Sequence, residues 1–475
     1  IKDIVTAAGG KPVFSPINDT RHAGIAVDSR NVKPGDLFVP LPGERTDGNR
    51  FIEDALKNGA SGFLVSSAIL AAERDRIRRI CEGAGMSGGE RAGAGAPFAI
   101  EVADTLQALQ AIGRYRIAVL SGVTRVGITG SSGKTTTKEL LGAILNEAGK
   151  TWYNEGNLNS EIGLPMACAG IPDGVRYAVF EMGMNRVGEM DILAGIVTPD
   201  MAAITGIGTA HVGMIGSIEG IAAEKKAIFS RFDGSQTGFL PEGDRFTPFL
   251  GKDVRGNIRL FGRTRTPGFT GCRLLGLEGS EVRFSEGTIR LSLPGEHNVD
   301  NLLCAVGIAR ELGVGFDAII RGAEKVRPLF GRGQIVSGPV TVIKDCYNAN
   351  PESMETAIRM ASALEWKGRK IFVLGSMLEL GDEARALHER LGRSAAESPA
   401  DLLFFYGKET EWAFREAVET RRAGVFFETD YPSLEAKVAG LVKEGDLVLI
   451  KGSRSTRLER LADALAGGDC PEGVA

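Results

Sequence analysis

The chain has few cysteines and no long apolar run, and each shortage excludes a class of protein. Six cysteines are scattered through 475 residues, and none belongs to a Cys-x-x-Cys pair. In a chain of this length, such usage indicates reduced thiols rather than a disulfide framework. No apolar run approaches the roughly 20 residues of a membrane-spanning helix. The start, IKDIVTAAGGKPVF, lacks the apolar core of a signal peptide. We therefore expect a cytoplasmic protein without a membrane span.

The chain also lacks a large excess of charge of one sign. The formal net charge is -4, which gives no electrostatic reason to expect nucleic acid as a partner. Hydrophobic residues make up 43% of the chain and charged residues 24%, as in ordinary globular proteins. A chain of this length is too long for one hydrophobic core, so about two to four domains are expected.

The order of apolar runs and turns divides the chain into three parts. The first hundred residues alternate short apolar runs with turns, which indicates a small N-terminal α/β domain over 1–103. The runs RVGITG, YAVFEMG and MAAITGIG predict buried parallel strands in a central α/β domain over 104–328. In 329–475, the runs VTVIKDCY, RKIFVLG, DLLFFYG, GVFFETD and DLVLIKG are separated by helix-length polar segments. That alternation predicts a C-terminal Rossmann-like, doubly wound α/β domain.

A glycine-rich stretch, VGITGSSGKTTTKELL, follows the first central strand and enters a helix. It contains Gly-Lys-Thr, but Ile128 stands where the common G-x-x-x-x-G-K-[ST] loop has its first glycine. Gly130 and Gly133 allow backbone N–H groups to approach phosphate oxygens. Lys134 is then expected at the β- and γ-phosphates and Thr135 at Mg²⁺. A plain glycine-rich turn is the alternative, but the strand, the Gly-Lys-Thr run and the helix together favour a P-loop. The central domain is therefore predicted to be P-loop ATPase-like.

Four further polar features each have a structural alternative. Glu181 ends the apolar run YAVFE, where a metal ligand or a helix cap is equally expected. His211 follows a strand, and a single histidine is more often structural than catalytic. Lys225 and Lys226 form a pair that is typical of a solvated helix face. Asn301 belongs to the run HNVDN, which either caps its helix or forms an edge that contacts a purine.

Taken in order, these stretches resemble the Mur ligase family of peptidoglycan synthesis. That family uses a shorter loop, T-G-x-x-G-K-[ST], and TGSSGKT matches it. The segment DSRNVKPGDLFVPLPGERTDGNRFIEDALKNGA resembles the family's N-terminal pattern, and NEGNLNSEIGLP resembles its segment after the P-loop. DCYNANPESM and LGSMLELGDEARALHERLG resemble its C-terminal domain. The likeness covers nearly the whole chain and is strongest to the members that add D-alanyl-D-alanine to a UDP-linked tripeptide.

The resemblance implies an ATP site with two Mg²⁺ ions. It assigns Lys134 to the phosphates, and Thr135 and Glu181 to the first Mg²⁺. His211 resembles the ligand of the second metal, and Lys225 aligns with the lysine that the family carbamylates. The catalytic residues implied are Lys134, Glu181, His211 and Lys225. The implied ATP-binding residues are Gly130, Ser131, Ser132, Gly133, Lys134, Thr135, Thr136, Asn301 at adenine, and Arg332 with Asp345 at the ribose and phosphates.

The resemblance also implies the substrates. Ser29 and Arg30 match positions that face the UDP-sugar, which makes 1–103 the UDP-substrate domain. Asn157, in the segment after the P-loop, is expected at the same substrate. Tyr347 and Asn348 would lie near the incoming D-alanyl-D-alanine, on a C-terminal domain that also binds part of ATP. The implied reaction forms an acyl phosphate of UDP-N-acetylmuramoyl-tripeptide, releases ADP and phosphate, and is carried out by a monomer.

Rival functions lack their own motifs. The ligase that adds the third residue usually carries D-N-P-[AR], and folylpolyglutamate synthase carries D-G-A-H-N-P; both runs are missing. A GTPase switch would need N-K-x-D, and the chain contains no Asn-Lys dipeptide. A non-catalytic nucleotide-binding scaffold would tolerate the loss of Glu181, His211 or Lys225, and all three are present. The third residue of the tripeptide stays open: diaminopimelate, lysine or another diamine.

Overall fold

The structure is a computed structural model that describes residues 2–14, 23–43, 46–82, 97–421 and 423–465. The chain forms two compact units. The first unit comprises Ile1–Gly127, Thr151–Met184 and Glu189–Pro199, and the second comprises Ile128–Lys150, Asn185–Gly188 and Asp200–Ala475. No helix in the described ranges is both long and apolar enough to cross a membrane. The five cysteines in those ranges are free thiols, and Cys470 lies outside them.

The N-terminal part of the first unit is a five-stranded sheet in the order β1-β5-β4-β3-β2. The strands are β1 (Lys11–Val13), β2 (Ile25–Ala26), β3 (Leu37–Phe38), β4 (Gly62–Ser66) and β5 (Phe98–Val102). Only β1 is antiparallel to its neighbour. Helices span Lys2–Ala7, Ile52–Lys57, Ser67–Ala72, Arg74–Cys81 and Thr105–Val119. Phe63 belongs to one core cluster and Leu64 to another, because successive side chains of a strand face opposite sides of the sheet.

Three central strands follow, and the one before the P-loop begins in the first unit and ends in the second. They are β6 (Thr124–Thr129), β7 (Thr151–Tyr153) and β8 (Tyr177–Glu181). In the first unit β7 and β8 are parallel, and helices span Gly163–Ala169 and Glu189–Val197. Strand β8 is buried along its whole length, which explains why its sequence is almost entirely apolar up to Glu181.

The second unit continues with three parallel strands, β9 (Met201–Ile204), β10 (Thr237–Pro241) and β11 (Asn257–Phe261). A separate antiparallel sheet, which we did not predict, contains β12 (Phe269–Leu274), β13 (Ser280–Phe284) and β14 (Gly287–Leu291). The helices of this part span Lys134–Asn146, Val212–Ile215, Ile218–Lys226, Thr247–Gly251, Glu296–Glu311 and Phe316–Ala323.

The last third of the chain, also in the second unit, forms a six-stranded sheet in the order β15-β16-β20-β17-β18-β19. The strands are β15 (Gln334–Val336), β16 (Thr341–Asp345), β17 (Lys370–Gly375), β18 (Leu402–Tyr406), β19 (Val425–Glu428) and β20 (Leu447–Lys451). Helices span Pro351–Ala363, Ala384–Glu397, Glu411–Thr420, Tyr431–Leu441 and Glu459–Leu465. The five predicted strands are all present and parallel, and the unpredicted β15 is an antiparallel edge.

Short 3₁₀ helices connect several of these elements. They span Ser29–Asn31, Gly48–Phe51, Ala227–Phe229, Gly276–Glu278, Gly381–Glu383, Lys408–Thr410 and Arg454–Thr456. The prediction of an α/β protein with parallel sheets is confirmed. The boundaries at 103/104 and 328/329 stay predictions.

Candidate active site

The P-loop lies between the end of β6 and the helix Lys134–Asn146. Its two glycines have left-handed backbones, with φ of 151° at Gly130 and 84° at Gly133. A Cβ atom at Gly130 would overlap Thr205 Oγ1, and one at Gly133 would overlap Asn301 Oδ1. Lys134 begins the helix, and its Nζ donates to the carbonyl of Gly130 at 2.7 Å. The loop therefore closes on itself in a shape that requires glycine at both positions.

Gly133→Ala is expected to weaken ADP binding about tenfold or more, a change that corresponds to about 1.4 kcal/mol. Gly445→Ala is the matched control, because φ is 84° at Gly133 and 85° at Gly445, where an added Cβ has no atom within 4 Å. Both variants bear a left-handed backbone cost of roughly 1–2 kcal/mol. Only Gly133→Ala also displaces Asn301 and the loop. Calorimetric titration with ADP measures the difference, and equal affinities in the two variants would contradict the assignment of the loop.

A loop and a helix of the second unit support the P-loop. Ser131 is buried, and its Oγ accepts from the backbone N–H of Gly208 at 2.8 Å. Asn301, on the helix Glu296–Glu311, is 9% exposed and donates to Asn298 Oδ1 at 3.1 Å. Ser132 is exposed, Thr135 is buried, and Thr136 is partly buried. Asn301 thus lies against the P-loop, and its contact with adenine stays a prediction.

The adjacent lysines of helix Ile218–Lys226 have different surroundings. Lys225 is 1% exposed, whereas Lys226 is half-buried and donates to the carbonyls of Phe249 at 2.9 Å and Lys252 at 2.7 Å. Burial, and then the charge of Lys134, hold the pKa of Lys225 well below its usual range. A solvated face is therefore the wrong interpretation of Lys225, which is instead a buried amine near the P-loop lysine.

His211 meets a carboxylate from the C-terminal part of the second unit. Its Nδ1 lies 2.7 Å from Glu379 Oε2, and the two side chains are 20% and 55% exposed. The hydrogen bond with His211 holds the pKa of Glu379 below its ordinary value. No local sequence signal points to this partner, because the two residues are 168 positions apart.

The start of helix Pro351–Ala363 also lies on the P-loop. The side-chain amide of Asn350 donates to the carbonyl of Ser131 at 3.2 Å and to Ser132 Oγ at 3.3 Å. One residue into the helix, Glu352 Oε1 accepts from the backbone N–H and the hydroxyl of Thr209, at 2.8 and 2.9 Å. Both residues stand in the DCYNANPESM stretch, but neither was among the predicted site residues.

Four predicted residues gather at the ends of β16 and β20. The guanidinium of Arg332 lies 4.0 Å from the centre of the Tyr347 ring. Asp345 Oδ2 accepts from Lys451 Nζ at 2.8 Å, and the same ammonium donates to the carbonyl of Asn348 at 3.1 Å. Lys451, the last residue of β20, is 2% exposed and was not among the predicted site residues. The carboxyl ends of parallel strands thus form one polar cluster, as expected for a doubly wound sheet.

A cavity of about 620 Å³ lies at the start of helix Glu296–Glu311. His297, Arg359, Met360 and Trp366 are among its lining residues. Burial lowers the pKa of His297 to about 4, so its imidazole is neutral at pH 7. The neutral imidazole thus adds a flat ring to a lining that combines apolar residues with charged ones such as Glu296 and Arg359.

In the first unit, Glu181 is held by the segment after β7. Its backbone N–H donates to Asn154 Oδ1 at 2.8 Å, and its Oε1 accepts from the Asn159 amide at 2.8 Å. Glu181 is 2% exposed. The run NEGNLN was recognised as a motif, but these two orienting asparagines were missed.

The residues predicted at the UDP-substrate also belong to the first unit. Ser29 is buried, and its carbonyl accepts from the Asn58 amide at 2.8 Å. Arg30 is exposed and paired with Asp28 at 2.6 Å. Asn157 is exposed in the loop after β7, and its carbonyl accepts from the backbone of Asn159 at 2.7 Å.

Three family descriptions match the chain in sequence order. The Mur ligase family catalytic domain matches residues 21–116, the Mur ligase middle domain matches 128–309, and the Mur ligase glutamate ligase domain matches 331–454. The P-loop with Lys134 and the buried Lys225 fall in the middle match. The cluster at the ends of β16 and β20 falls in the last.

Whole-chain comparisons agree with these matches. The UDP-N-acetylmuramoyl-tripeptide–D-alanyl-D-alanine ligase of Treponema pallidum is 39% identical over 443 residues, which is 93% of each chain. A crystal structure of MurF from Acinetobacter baumannii superposes with a TM-score of 0.83 and 32% identity over 98% of each chain. MurF ligase from Thermotoga maritima in complex with ADP has a TM-score of 0.75 and 27% identity, over 95% of this chain and 99% of that one.

Proposed function

The chain belongs to the Mur ligase family and is an ATP-dependent ligase that adds D-alanyl-D-alanine to UDP-N-acetylmuramoyl-tripeptide; we propose that it does so through an acyl phosphate. The observation that carries the proposal is a glycine-requiring P-loop whose lysine stands near a second, buried lysine. A carboxylate and an ammonium do not condense in water, because the carboxylate offers no good leaving group. Phosphorylation of the carboxylate supplies one.

In the first step, the terminal carboxylate of the tripeptide attacks the γ-phosphorus of ATP. The bond to the β-phosphate oxygen breaks, so ADP leaves and an acyl phosphate forms. Lys134 and the backbone N–H groups of Gly130–Gly133 stabilise the charge on the transferring group, which is the main task of a phosphoryl-transfer site. In the second step, the neutral amine of the dipeptide attacks the acyl carbon, and phosphate leaves with the carbon–oxygen bonding pair. The new amide nitrogen then loses a proton.

Two Mg²⁺ sites are proposed from the chemistry of the residues alone. Thr135 would supply a hydroxyl and Glu181 a carboxylate, which are the hard oxygen ligands that Mg²⁺ prefers. Asn154 and Asn159 hold that carboxylate in place within the first unit. His211 and a carbamate on Lys225 are proposed at the second ion. When bound, Mg²⁺ offsets the negative charge of the phosphates during transfer.

The residues for the rest of the nucleotide and for the other substrates are proposed from the resemblance to the family. Asn301 and the cavity at His297 are proposed to receive adenine, while Arg332 and Asp345 hold the ribose and phosphates. Lys451 supports this role, because it fixes the Asp345 carboxylate at 2.8 Å. The residues proposed at the UDP-tripeptide are Ser29, Arg30 and Asn157, and those proposed at the dipeptide are Tyr347 and Asn348.

We further propose three domains with boundaries at 103/104 and 328/329, a cytoplasmic location and a monomeric state. The family matches at 21–116, 128–309 and 331–454 support these divisions. The cytoplasmic location is supported by the chemistry, because both ATP and a UDP-linked precursor are substrates.

Phosphate release is expected to depend strictly on D-alanyl-D-alanine as the acceptor. With ATP and UDP-N-acetylmuramoyl-tripeptide present, single amino acids should give no product, because the second step needs the amine of the bound dipeptide. A phosphate-release assay with tripeptides that differ only in the third residue checks this and identifies the preferred tripeptide. Turnover with UDP-dipeptide and a diamino acid, with none on D-alanyl-D-alanine, would contradict the assignment.

A further inference from the structure

Two strained residues of the second unit meet through their side chains. His211 has φ of 66° and Glu379 has φ of 63°, and they are two of only six non-glycine residues with positive φ in the described part of the chain. Their side chains approach to 2.7 Å, between Nδ1 and Oε2. Such backbone strain persists only where the surrounding structure enforces it, and it concentrates at functional sites.

The backbones of two segments, the loop at His211 (His211–Gly213) and the loop at Glu379 (Glu379–Gly381), enforce this contact. The N–H of Gly213 donates to the carbonyl of Glu379 at 3.0 Å. A Cβ atom on Gly381 would lie 2.6 Å from the Cα of Gly213, so the two segments of backbone pack too closely for a side chain at Gly381. His211 comes two positions before Gly213, and Glu379 comes two positions before Gly381. The histidine and the carboxylate therefore meet because their backbones are fixed against each other.

The hydrogen bond also determines which imidazole nitrogen can bind a metal. An ionised carboxylate only accepts hydrogen bonds, so the Nδ1 of His211 carries the proton that it donates to Glu379. In a neutral ring, Nε2 then holds the free lone pair. Metal-binding histidines are commonly held in this way, with a carboxylate on the nitrogen opposite the metal.

We propose that Glu379 is a positioning residue that holds the His211 ring by Nδ1 and presents Nε2 to the second divalent cation. This inference rests on the metal-binding role of His211 in the proposed function. It adds that the ligand is oriented by a residue from the last third of the chain, 168 positions away. The second metal site is then complete only when the loop at Glu379 is packed on the loop at His211.

Mn²⁺ with the β,γ-methylene analogue of ATP is a suitable probe, because neither the Thr135–Glu181 site nor the phosphate chain brings a nitrogen ligand. Pulsed electron paramagnetic resonance detects an imidazole nitrogen bound directly to Mn²⁺. Wild-type protein should show this coupling and His211→Ala should lose it. Glu379→Ala should weaken the coupling and raise the Mn²⁺ dissociation constant of the site by about 10–100-fold, the usual effect of removing such a partner.

The variants separate positioning from charge. Glu379→Gln should retain part of the coupling, because its amide oxygen still accepts from Nδ1–H. Glu383→Ala removes an exposed carboxylate from the same loop and should behave like wild type. Gly381→Ala leaves Glu379 in place but forces the loops apart, and it should reproduce the loss seen in Glu379→Ala. The KM for UDP-tripeptide should stay unchanged in Glu379→Ala, Glu379→Gln, Glu383→Ala and Gly381→Ala.

Two outcomes would overturn the proposal, and they differ in what else they remove. If Glu379→Ala keeps the wild-type nitrogen coupling and Mn²⁺ affinity, the glutamate does not position His211, and the metal role of His211 stands. If wild-type protein shows no nitrogen coupling while phosphate release is normal, His211 is not a metal ligand, and both ideas fail without affecting the ligase assignment. A ligase that released no phosphate would instead contradict the proposed function itself.

Discussion

Lys134→Ala is expected to lower kcat by about a hundredfold or more, which is typical for the loss of one preorganised donor at a site of developing charge. Lys134 is the first residue of the helix Lys134–Asn146. Its ammonium lies over the loop, with Nζ 2.7 Å from the Gly130 carbonyl. During transfer it would exchange this carbonyl for phosphate oxygens, whose negative charge grows between the β- and γ-phosphates. An alanine there leaves that charge without its cation.

The fold should survive this change. Lys134 contributes one hydrogen bond to the loop, and a bond from a charged donor contributes about 1.5–3 kcal/mol to the free energy of unfolding, less than the total stability of a typical domain. Lys134→Arg keeps the charge but not the compact ammonium, so it should recover little activity. Lys252→Ala removes an exposed lysine of the same unit and serves as the control.

Phosphate release at saturating substrates, together with thermal unfolding, checks the prediction. A Lys134→Ala protein with near-normal kcat would show that the loop does not act on the transferring phosphoryl group. A large fall in unfolding temperature would instead mean that the lysine is structural.

The local part of the site could be predicted from the sequence because its signals are contiguous. The P-loop glycines, Lys134 and Thr135 stand within six positions, between a strand and a helix that the apolar pattern already indicates. Glu181 was found for the same reason, as the charged last residue of a fully buried strand. Each of these residues is placed by the element that contains it.

The partners that orient the site could not be predicted, because they come from distant segments. Glu379 reaches His211 across 168 positions, and Asn350 reaches Ser131 across 219. Many glutamates and asparagines in the chain have equivalent local surroundings, so only the packing of the loops selects these two. The sheet of β12 to β14 was missed for a different reason: its strands are only five or six residues long and contain few apolar residues, so in composition they resemble a series of turns.

Which lysine of the Lys225–Lys226 pair is buried depends on helix geometry and cannot be read from composition. Neighbouring residues on a helix point about 100° apart, because one turn takes 3.6 residues. One lysine of the pair can therefore be buried while the next reaches the surface. The lysine pair alone does not show the orientation of the helix; the family resemblance had already selected Lys225, and burial now distinguishes it from Lys226.

Lys225→Ala is expected to be nearly inactive and to be partly rescued by acetate. Burial and the charge of Lys134 hold the pKa of Lys225 well below its ordinary value, which favours the neutral amine. A neutral amine adds to CO₂ and releases a proton, which gives a carbamate with one negative charge. The carbamate attracts Lys134 and offers oxygen ligands to Mg²⁺, whereas an ammonium at the same place would repel both. Acetate supplies similar oxygens to the space that the shortened side chain leaves.

Lys226→Ala is the matched control, because it removes the adjacent lysine of the same helix. That ammonium bridges the carbonyls of Phe249 and Lys252, so its loss should cost about 1–3 kcal/mol of stability and leave most of the turnover. With ¹³C-labelled bicarbonate, carbon NMR should show a carbamate signal in wild type and in Lys226→Ala, and none in Lys225→Ala. Wild-type turnover by Lys225→Ala in CO₂-depleted buffer would rule out the carbamate. So would a wild-type protein that is active without the labelled signal, because the depressed pKa of Lys225 would then serve only to keep a neutral amine beside Lys134.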